Sequence, residues 1–410
     1  MVNAECLIAN IANYCVPKDI LFVIDHSLFT IHYSPMAGIY LHIPFCKQAC
    51  NYCNFHFSTS LRNKNDFVAA LLKEIFLRKE YLGNEPIETI YFGGGTPSLL
   101  TNEELDSIIN EISKTFDIEA NAELTLEANP DDISTAKLKD WRRSGINRLS
   151  IGVQSFFEQD LIWMNRAHNA KQAVDSIKFS LETSFDNISI DLIYGTPTLS
   201  NTNWQKNLEQ AVNLKIPHLS CYALTVEPKT FLDKLIKQKK VSDINTDVQA
   251  EQFLMLMDFL SRNDYEHYEI SNFAVKGKRS KHNSSYWQGK KYLGLGPSAH
   301  SYNGIERSWN QSNNHLYIQS LKQNKISSEK EILTGTQKLN EYIMISLRTI
   351  EGCDLNNPEI YFGKKVKEEI LKNAKQYINE KKLELKNDRL ILTREGKLLA
   401  DGIASDLFFE

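Results

Sequence analysis

The stretch YLHIPFCKQACNYCNFHF, at residues 40–57, decides how the chain is interpreted, because it places Cys46, Cys50 and Cys53 on one short loop. The other four cysteines are scattered along the sequence. Thiolates are soft ligands that suit iron–sulfur clusters, zinc or copper. Three of them leave either a [4Fe–4S] cluster with one open iron or a zinc site short of a fourth ligand, for which His42 and His56 are the nearby candidates. The loop predicts a metal centre and leaves this choice open.

Length and composition indicate an ordinary globular protein. The chain has 410 residues, a length sufficient for a main domain and one or two smaller ones. Hydrophobic residues make up 42% of it, as in ordinary globular proteins. Its net charge of −4 provides no general attraction to nucleic acid or anionic membranes, and no apolar run approaches the length needed to cross a bilayer. Seven unevenly spaced cysteines do not form a secreted disulfide framework, so we expect a reducing cytoplasm.

Residues 1–35 fall outside the pattern of the rest of the chain. Their apolar run at residues 20–31 is interrupted by Asp25 and His26, and no basic segment precedes it, which argues against a secretory signal. Regular patterning starts at Met36. We therefore expect Met36 to be the natural start and residues 1–35 to be an extension.

Six strand-and-helix repeats between residues 38 and 224 predict the fold. Short apolar runs with helical patterns between them predict strands at residues 38–43, 88–92, 122–128, 148–153, 187–192 and 218–224. Thr101 and Glu104 form a capping box ahead of one helix, and Gly145 ends another. Apolar strands joined by helices indicate a parallel sheet covered by helices. The predicted class is α/β, with a partial (β/α)6 TIM-type barrel. Six strands are too few to close an eight-stranded barrel, so we expect it to be partly open.

The alternation fails after residue 224. We expect a helix at residues 249–260, a strand at 265–270, a loop rich in glycine and aromatic residues at 280–302, and a polar linker with some helix at 311–336. Residues 337–410 predict a small domain with two helices, a hairpin and a last helix, as in winged-helix folds. The predicted division is an extension (1–35), a barrel (36–230), a barrel extension with linker (231–336) and the small domain (337–410).

Polar residues and glycines gather where the predicted strands end. In parallel β/α barrels the active site lies at this end of the strands. Charged groups at the mouth of apolar strands are costly unless something pairs with them. Glycine N–H groups could hold an amino acid moiety, Glu127 or Asp191 the hydroxyls of a ribose, and Arg166 a carboxylate. S-adenosylmethionine (SAM) combines these features, although a tight turn at GGGTP, helix caps and ion pairs would explain the same residues structurally.

The cysteine pattern C-x3-C-x2-C, followed by an aromatic residue and by GGGTP one strand later, resembles the radical SAM superfamily over about residues 39–224. The resemblance implies that the three cysteines hold a [4Fe–4S] cluster whose open iron binds the amino and carboxylate groups of SAM. An electron from the cluster then breaks the sulfonium bond and yields a 5′-deoxyadenosyl radical. The resemblance also explains why the loop has only three cysteines, because SAM would take the fourth ligand position.

The motifs YLHIPFC, YFGGGTPS, LEANP, IGVQSF, MNRAH and DLIYGTP are similar, in order, to those of the oxygen-independent coproporphyrinogen III oxidase group. By motif position, the resemblance implies that the SAM contacts are Tyr40, Gly94, Gly95, Thr96, Glu127, Gln154, Arg166, Asp191 and Ala223. The oxidase motif continues to a fourth cysteine, where this chain has Phe55. That substitution argues against decarboxylation of coproporphyrinogen III. It resembles the HemW branch, regarded as heme-binding chaperones that deliver heme to apoproteins.

A second motif, HNSSYW at residues 282–287, matches the pattern HNxxYW and supports that branch. A neutral histidine is a common heme ligand, so His282 is the candidate, with Tyr286 and Trp287 stacking on the macrocycle. Residues 276–291 contain six Lys or Arg and no acidic residue, which would suit heme propionates. The structural alternative is a turn-capping histidine, a core tryptophan and a solvated basic face. His300 and Cys221 are rival ligands.

Three functions remain in competition. The first is a cytoplasmic heme chaperone that binds a [4Fe–4S] cluster, SAM and heme. Its expected partners are apo-hemoproteins, an electron donor such as flavodoxin or ferredoxin, and a membrane surface reached through an acceptor. The second is an anaerobic coproporphyrinogen III oxidase of porphyrin biosynthesis, which Phe55 disfavours. The third is a radical SAM enzyme acting on RNA through the C-terminal domain, which the acidic net charge disfavours.

Overall fold

The computed structural model describes residues 36–409, so the expectations for residues 1–35 lie outside the described part of the chain. The predicted partial barrel is confirmed. Its strands are β1 (Ala37–Ile43), β2 (Ile87–Gly94), β3 (Ile118–Ala128), β4 (Arg148–Gln154), β5 (Ile188–Tyr194) and β6 (His218–Ala223). They pair in this order and all in parallel. Every residue of β1, β4 and β5 is buried, as expected for strands covered on both faces.

Helices cover the outside of the barrel. They are α1 (Lys64–Leu77), α2 (Asn102–Thr115), α3 (Thr135–Arg143), α4 (Glu158–Trp163), α5 (Ala170–Glu182) and α6 (Asn201–Asn213). The predicted capping box is present: the hydroxyl of Thr101 accepts from the Glu104 N–H, and the Glu104 carboxylate accepts from the Thr101 N–H. Gly145 adopts a φ of +95° just beyond α3, which is the left-handed conformation that ends helices.

Residues 231–274 extend the sheet past β6. They form α7 (Phe231–Lys237), α8 (Thr246–Ser261), β7 (Glu266–Glu269) and β8 (Asn272–Ala274). Strand β8 pairs antiparallel with β6, and β7 pairs antiparallel with β8. The helix predicted at residues 249–260 and the strand predicted at 265–270 are both confirmed.

The prediction of a loop at residues 280–302 is wrong. This segment forms α9 (Lys281–Trp287), β9 (Tyr292–Leu295) and β10 (His300–Tyr302). Strand β9 pairs in parallel with β1 on the side away from β2. Its composition resembled a loop because Gly294 interrupts the apolar run. That glycine is needed for packing, since a Cβ there would lie 1.9 Å from the His300 carbonyl oxygen.

Residues 311–336 were expected to form a polar linker with some helix; the helix is confirmed, but the rest of the segment includes a strand of the sheet. Strand β11 (Glu306–Asn310) is followed by α10 (Asn314–Lys322) and β12 (Ser328–Ile332), and β12 pairs antiparallel with β11. Strand β12 lies at the edge of the sheet, and none of its residues is fully buried. An edge strand exposed in this way carries a polar sequence, which is why it resembled a linker.

The C-terminal segment forms a small second unit with its own apolar core. Its elements are α11 (Gly335–Leu347), β13 (Cys353–Asp354), α12 (Asn356–Phe362), α13 (Lys364–Asn379), β14 (Leu383–Lys386), β15 (Arg389–Leu392) and α14 (Ala400–Asp406). The three strands form an antiparallel sheet in the order β13–β15–β14. The predicted combination of helices and a hairpin is confirmed, with β13 and α12 as additional elements. The last helix is shorter than the span predicted from the sequence, residues 393–407, because residues 396–399 form a separate 3-10 turn.

Ion pairs and backbone hydrogen bonds attach this unit to the barrel. The Arg348 guanidinium contacts the Glu269 carboxylate at 3.1 Å, and the Ile350 N–H donates to the Tyr268 carbonyl. At the surface, Arg394 makes a two-point contact with Asp258.

Within residues 36–409, no helix combines the length and the apolarity needed to cross a membrane.

Candidate functional site

The cysteine loop is held in place by the segment that follows α4. The Asn51 amide donates to the Trp163 carbonyl at 2.7 Å, and the Asn165 amide donates to the Ala49 carbonyl at 2.7 Å. On its other side, the Cys46 N–H donates to the Ser58 carbonyl at 3.0 Å. Contacts on both sides therefore fix the position of the loop. All three cysteines are free and line one cavity at the C-terminal ends of the strands.

Glycines at the end of β2 allow the chain to pass close to this loop. A Cβ on Gly95 would lie 2.6 Å from the Phe45 carbonyl oxygen, so no larger residue fits without moving backbone. Gly94 has a φ of +103°, and a Cβ there would lie 2.6 Å from the His42 ring. Gly94, Gly95 and Thr96 all line the cavity that holds the cysteines. The GGGTP motif is thus part of the site, and not a distant turn.

Arg166 connects the cysteine loop to the barrel rim. One guanidinium nitrogen lies 3.2 Å from Cys50 Sγ, and the other donates to Asn129 Oδ1 at 2.8 Å and to the Gly152 carbonyl at 2.9 Å. Its Nε has no hydrogen-bond partner among the described residues. Arg166 therefore places a fixed positive charge beside the thiols and keeps one donor for a ligand.

Gln154 is buried without protein partners. It lies at the end of β4 with 0% exposure and a φ of +64°, in the left-handed region that non-glycine residues rarely adopt. Neither Oε1 nor Nε2 makes a hydrogen bond to the described residues. A buried amide without partners costs about 1–3 kcal/mol. A polar ligand that reached this amide would remove the cost, although Gln154 does not itself line the cavity that holds the cysteines.

Two carboxylates face each other across the rim. Burial and the charge of Asp191 raise the pKa of Glu127 to about 8, and burial raises the pKa of Asp191 to about 6. The Tyr91 hydroxyl donates to Glu127 at 2.8 Å. Near neutral pH, Glu127 is protonated in this environment and can donate a hydrogen bond, while Asp191 mainly accepts. Tyr91 was not among the predicted site residues, although its position two residues before Gly93 on β2 already placed it on the inner face.

A larger cavity of about 560 Å³ adjoins the cysteine site. Phe55, Gly94, Glu127 and Asp191 line both spaces. Tyr40 and Ala223 line only the larger one of the two. Residues 397–402 of the C-terminal unit form part of its wall. The structure therefore brings the predicted cysteine, glycine, carboxylate and arginine residues to one rim, with Gln154 beside Arg166 above Gly152.

A single zinc ion is the alternative to a cluster at these thiols. Within residues 36–409, no three His, Cys, Asp or Glu side chains lie close enough together to bind one metal ion. A [4Fe–4S] cluster places each thiolate on a different iron, so its ligands lie further apart than those around one ion. Burial raises the pKa of the Cys46 thiol to about 12 and that of Cys53 to about 11, so metal binding must displace their protons. His42 is already bonded to the His56 carbonyl at 2.8 Å.

His282 does not line the cavities at this rim but packs behind it, with its ring centroid 4.9 Å from that of Tyr91. It sits near the start of β1 and β2, where its Nδ1 is 2.7 Å from the Thr89 hydroxyl and its Nε2 is 3.0 Å from the Tyr286 hydroxyl. The ring is 1% exposed, and burial lowers its pKa to about 3, so it is neutral. Glu123 fixes the start of α9 by accepting from the His282 N–H at 3.1 Å. Both ring nitrogens are thus engaged by the protein.

Comparison with known families agrees with this site. The profile described as the Radical SAM superfamily matches residues 40–211, and the profile described as the HemN C-terminal domain matches residues 333–399. The fold and the three-cysteine site thus define a radical SAM protein.

Among relatives of this chain, the protein named heme chaperone HemW of Bacillus subtilis is 31% identical over 372 residues, which cover 90% of this chain and 98% of that protein. The HemW of Lactococcus lactis is 32% identical over 89% of this chain and 95% of that protein. The chain belongs to the HemW family. A solved structure of coproporphyrinogen III oxidase (HemN) from Escherichia coli superposes with a TM-score of 0.80, 21% identity, and coverage of 98% of this chain and 93% of that one, which supports the shared fold.

Proposed function

We propose that this protein is a heme chaperone that binds a [4Fe–4S] cluster, SAM and heme, and delivers heme to apo-hemoproteins. The observation that carries the proposal is Phe55, whose side chain lines both the cysteine site and the adjoining cavity. In the oxidase-type motif a fourth cysteine would stand here. An apolar ring at this point supplies neither a thiol nor a metal ligand to the larger cavity. The names of the HemW relatives support the same function.

The cluster and SAM would occupy the rim described above. Cys46, Cys50 and Cys53 would hold the cluster, whose bound form supplies an electron to the SAM sulfonium. Arg166 and Gln154 keep unpaired polar atoms at this rim and would orient the amino acid end of SAM. Glu127 and Asp191 would bind the ribose hydroxyls, one as donor and one as acceptor. Thr96 and the glycines would approach SAM through backbone groups, with Tyr40 and Ala223 at the boundary of the larger cavity.

Heme would contact the HNxxYW motif on α9. His282 carries a neutral ring, which is the form that binds iron, but its Nε2 is engaged by the Tyr286 hydroxyl. Ligation through Nε2 would thus require release of that hydroxyl. Apo-hemoproteins would receive the heme, and a flavodoxin or ferredoxin would reduce the cluster. We place this activity in the cytoplasm, with membrane contact only through an acceptor.

The experiment is anaerobic reconstitution followed by heme transfer. Reconstituted protein should bind one heme, shown by a Soret titration, and pass it to an apo-hemoprotein that gains its holo spectrum. A variant with Cys46, Cys50 and Cys53 replaced by serine should lose iron and sulfide, while Cys353→Ala, in the C-terminal core, should keep both. Absence of heme binding by the wild-type protein would refute the chaperone function.

The oxidase alternative is tested on the same preparation. Coproporphyrinogen III, SAM and a reductant are added, and the products are analysed for loss of carboxylates. We expect no decarboxylation by protein with verified cluster content. Protoporphyrinogen formation would instead assign the enzyme function.

A further inference from the structure

A second cavity of about 490 Å³ lies between α9 and α11, outside the barrel rim. One wall is formed by Tyr286 and Trp287, the last two residues of the HNxxYW motif. Tyr342 and Ile345 of α11 contribute to the opposite wall. The cavity thus lies at the junction of the barrel and the C-terminal unit, and its volume falls within the usual range of small-molecule and cofactor sites.

The lining combines aromatic rings with basic side chains. Six aromatic side chains surround the space. Five lysines or arginines line it, against three aspartates or glutamates in the lining, and four of the five are already ion-paired: Arg279 with Glu266 and Glu351, Lys290 with Glu88, Arg307 with Glu341 and Arg389 with Asp354. A planar apolar ligand with two carboxylates, such as heme, would stack on the rings and place its propionates near the basic groups. The cavity beside the SAM rim has the opposite charge balance, with four acidic and three basic side chains.

Trp287 separates the two cavities. It lines both of them, and the Arg348 guanidinium lies 5.3 Å from its ring centroid. Its indole Nε1 is buried and has no hydrogen-bond partner among the described residues, and the same is true of the Ser284 hydroxyl, which lines the second cavity. Two buried polar atoms without partners, on one short helix, indicate a site that a ligand completes.

We propose that this second cavity is the heme-binding site and that the C-terminal unit supplies one of its walls. The inference rests on the proposed chaperone function and specifies where its cargo lies. His282 stands one side chain behind this site, since the Tyr286 ring that lines the cavity carries the hydroxyl bonded to His282 Nε2. The cargo and SAM then occupy separate spaces, divided by Trp287 and Arg348.

The test fills each cavity separately. Ile345→Trp places an indole in the second cavity, and the matched control Ala250→Trp places one in the cavity beside the SAM rim. Heme affinity is measured by Soret titration of the reconstituted full chain, and SAM affinity by equilibrium dialysis. We expect Ile345→Trp to weaken heme binding at least tenfold and leave SAM binding within twofold. Ala250→Trp should leave heme binding within twofold.

The possible results distinguish a wrong heme site from a wrong chaperone function. If Ala250→Trp weakens heme binding and Ile345→Trp does not, or if neither does, the assigned site is wrong although the protein still binds heme. If the wild-type protein binds no heme, the chaperone function itself fails. Lys338→Glu provides a second variant that replaces one positive charge of the lining with a negative charge. It should weaken binding of heme several-fold but not of heme dimethyl ester, whose propionates carry no charge; equal effects on both would overturn the placement of the propionates.

Discussion

Replacing Arg348 with methionine should loosen the C-terminal unit from the barrel. The Arg348 side chain is 8% exposed, and it contacts Glu269, which is 1% exposed, through Nε at 3.2 Å and Nη2 at 3.1 Å. Removing the guanidinium leaves the Glu269 carboxylate buried without its counter-charge. Breaking a buried pair in this way costs about 3–5 kcal/mol. Two hydrogen bonds remain to Glu269, from the Ser271 N–H and the Asn272 amide, so we expect the lower end, about 3 kcal/mol.

The assay is amide hydrogen exchange followed by mass spectrometry. A cost of about 3 kcal/mol corresponds to roughly 100-fold faster exchange through local opening, since about 1.4 kcal/mol is a factor of ten. We expect this increase in peptides from α11 and α14. The control Arg394→Met breaks the surface pair with Asp258, whose side chains are 40% and 52% exposed. Exposed pairs contribute less than about 1 kcal/mol, so exchange should rise less than about fivefold.

A double variant isolates the buried charge as the cause. Adding Glu269→Gln to Arg348→Met removes the unpaired charge but keeps an acceptor for the Ser271 N–H. The double variant should therefore exchange more slowly than the single Arg348→Met variant. Equal exchange in Arg348→Met and Arg394→Met would refute the reasoning, because it would mean that burial of the pair makes no difference.

Three further predictions concern the rim. Gln154→Met should weaken SAM binding about tenfold in equilibrium dialysis without lowering the stability of the SAM-free protein, because the native amide has no protein partner to lose; a clear loss of stability would contradict this. Gly95→Ala should abolish iron binding by displacing the cysteine loop, while Gly402→Ala, whose Cβ would meet no atom within 4 Å, should keep full iron content. The pKa of Glu127 in the folded protein, about 8, lies above its ordinary value of 4.5. Between these two pH values the folded protein keeps a proton that the unfolded chain releases, so the free energy of unfolding falls as pH rises. Urea unfolding at pH 5.5 and 8 should show this decline in the wild-type protein and a flatter profile in Glu127→Gln; identical profiles would exclude the raised pKa.

The barrel was predictable because its strands are continuous apolar runs and its helices carry local signals. The capping box at Thr101 and the terminating glycine at position 145 are defined by neighbours in sequence. The grouping of the three cysteines at the ends of the strands was predictable for the same reason, since all three lie on one loop. The HemW relationship likewise followed from motifs that can be read in order along the chain.

The remaining features depend on distant partners. Strand β9 has only four residues, one of them glycine, and it becomes a strand by pairing with β1. The sequence around Arg348, at the end of an amphipathic helix, does not indicate that its side chain is buried in an ion pair. Its partner Glu269 is 79 residues away in sequence. The second cavity combines α9 with α11 and has no single motif of its own. The effect of tertiary contact on such segments exceeds their local propensity.

The pairing of β9 with β1 has a consequence for biosynthesis. Strand β1 leads directly into the cysteine loop. One edge of β1 has no partner until β9 is synthesised, about 250 residues later in the chain. At ribosomal rates of 5–20 residues per second, that edge stays open for roughly 12–50 s after β1 is made. Such a long-range parallel contact raises the contact order and slows folding. The amino-terminal part of the barrel therefore emerges with this edge of β1 unpaired, and the sheet is completed only after β9 has been made.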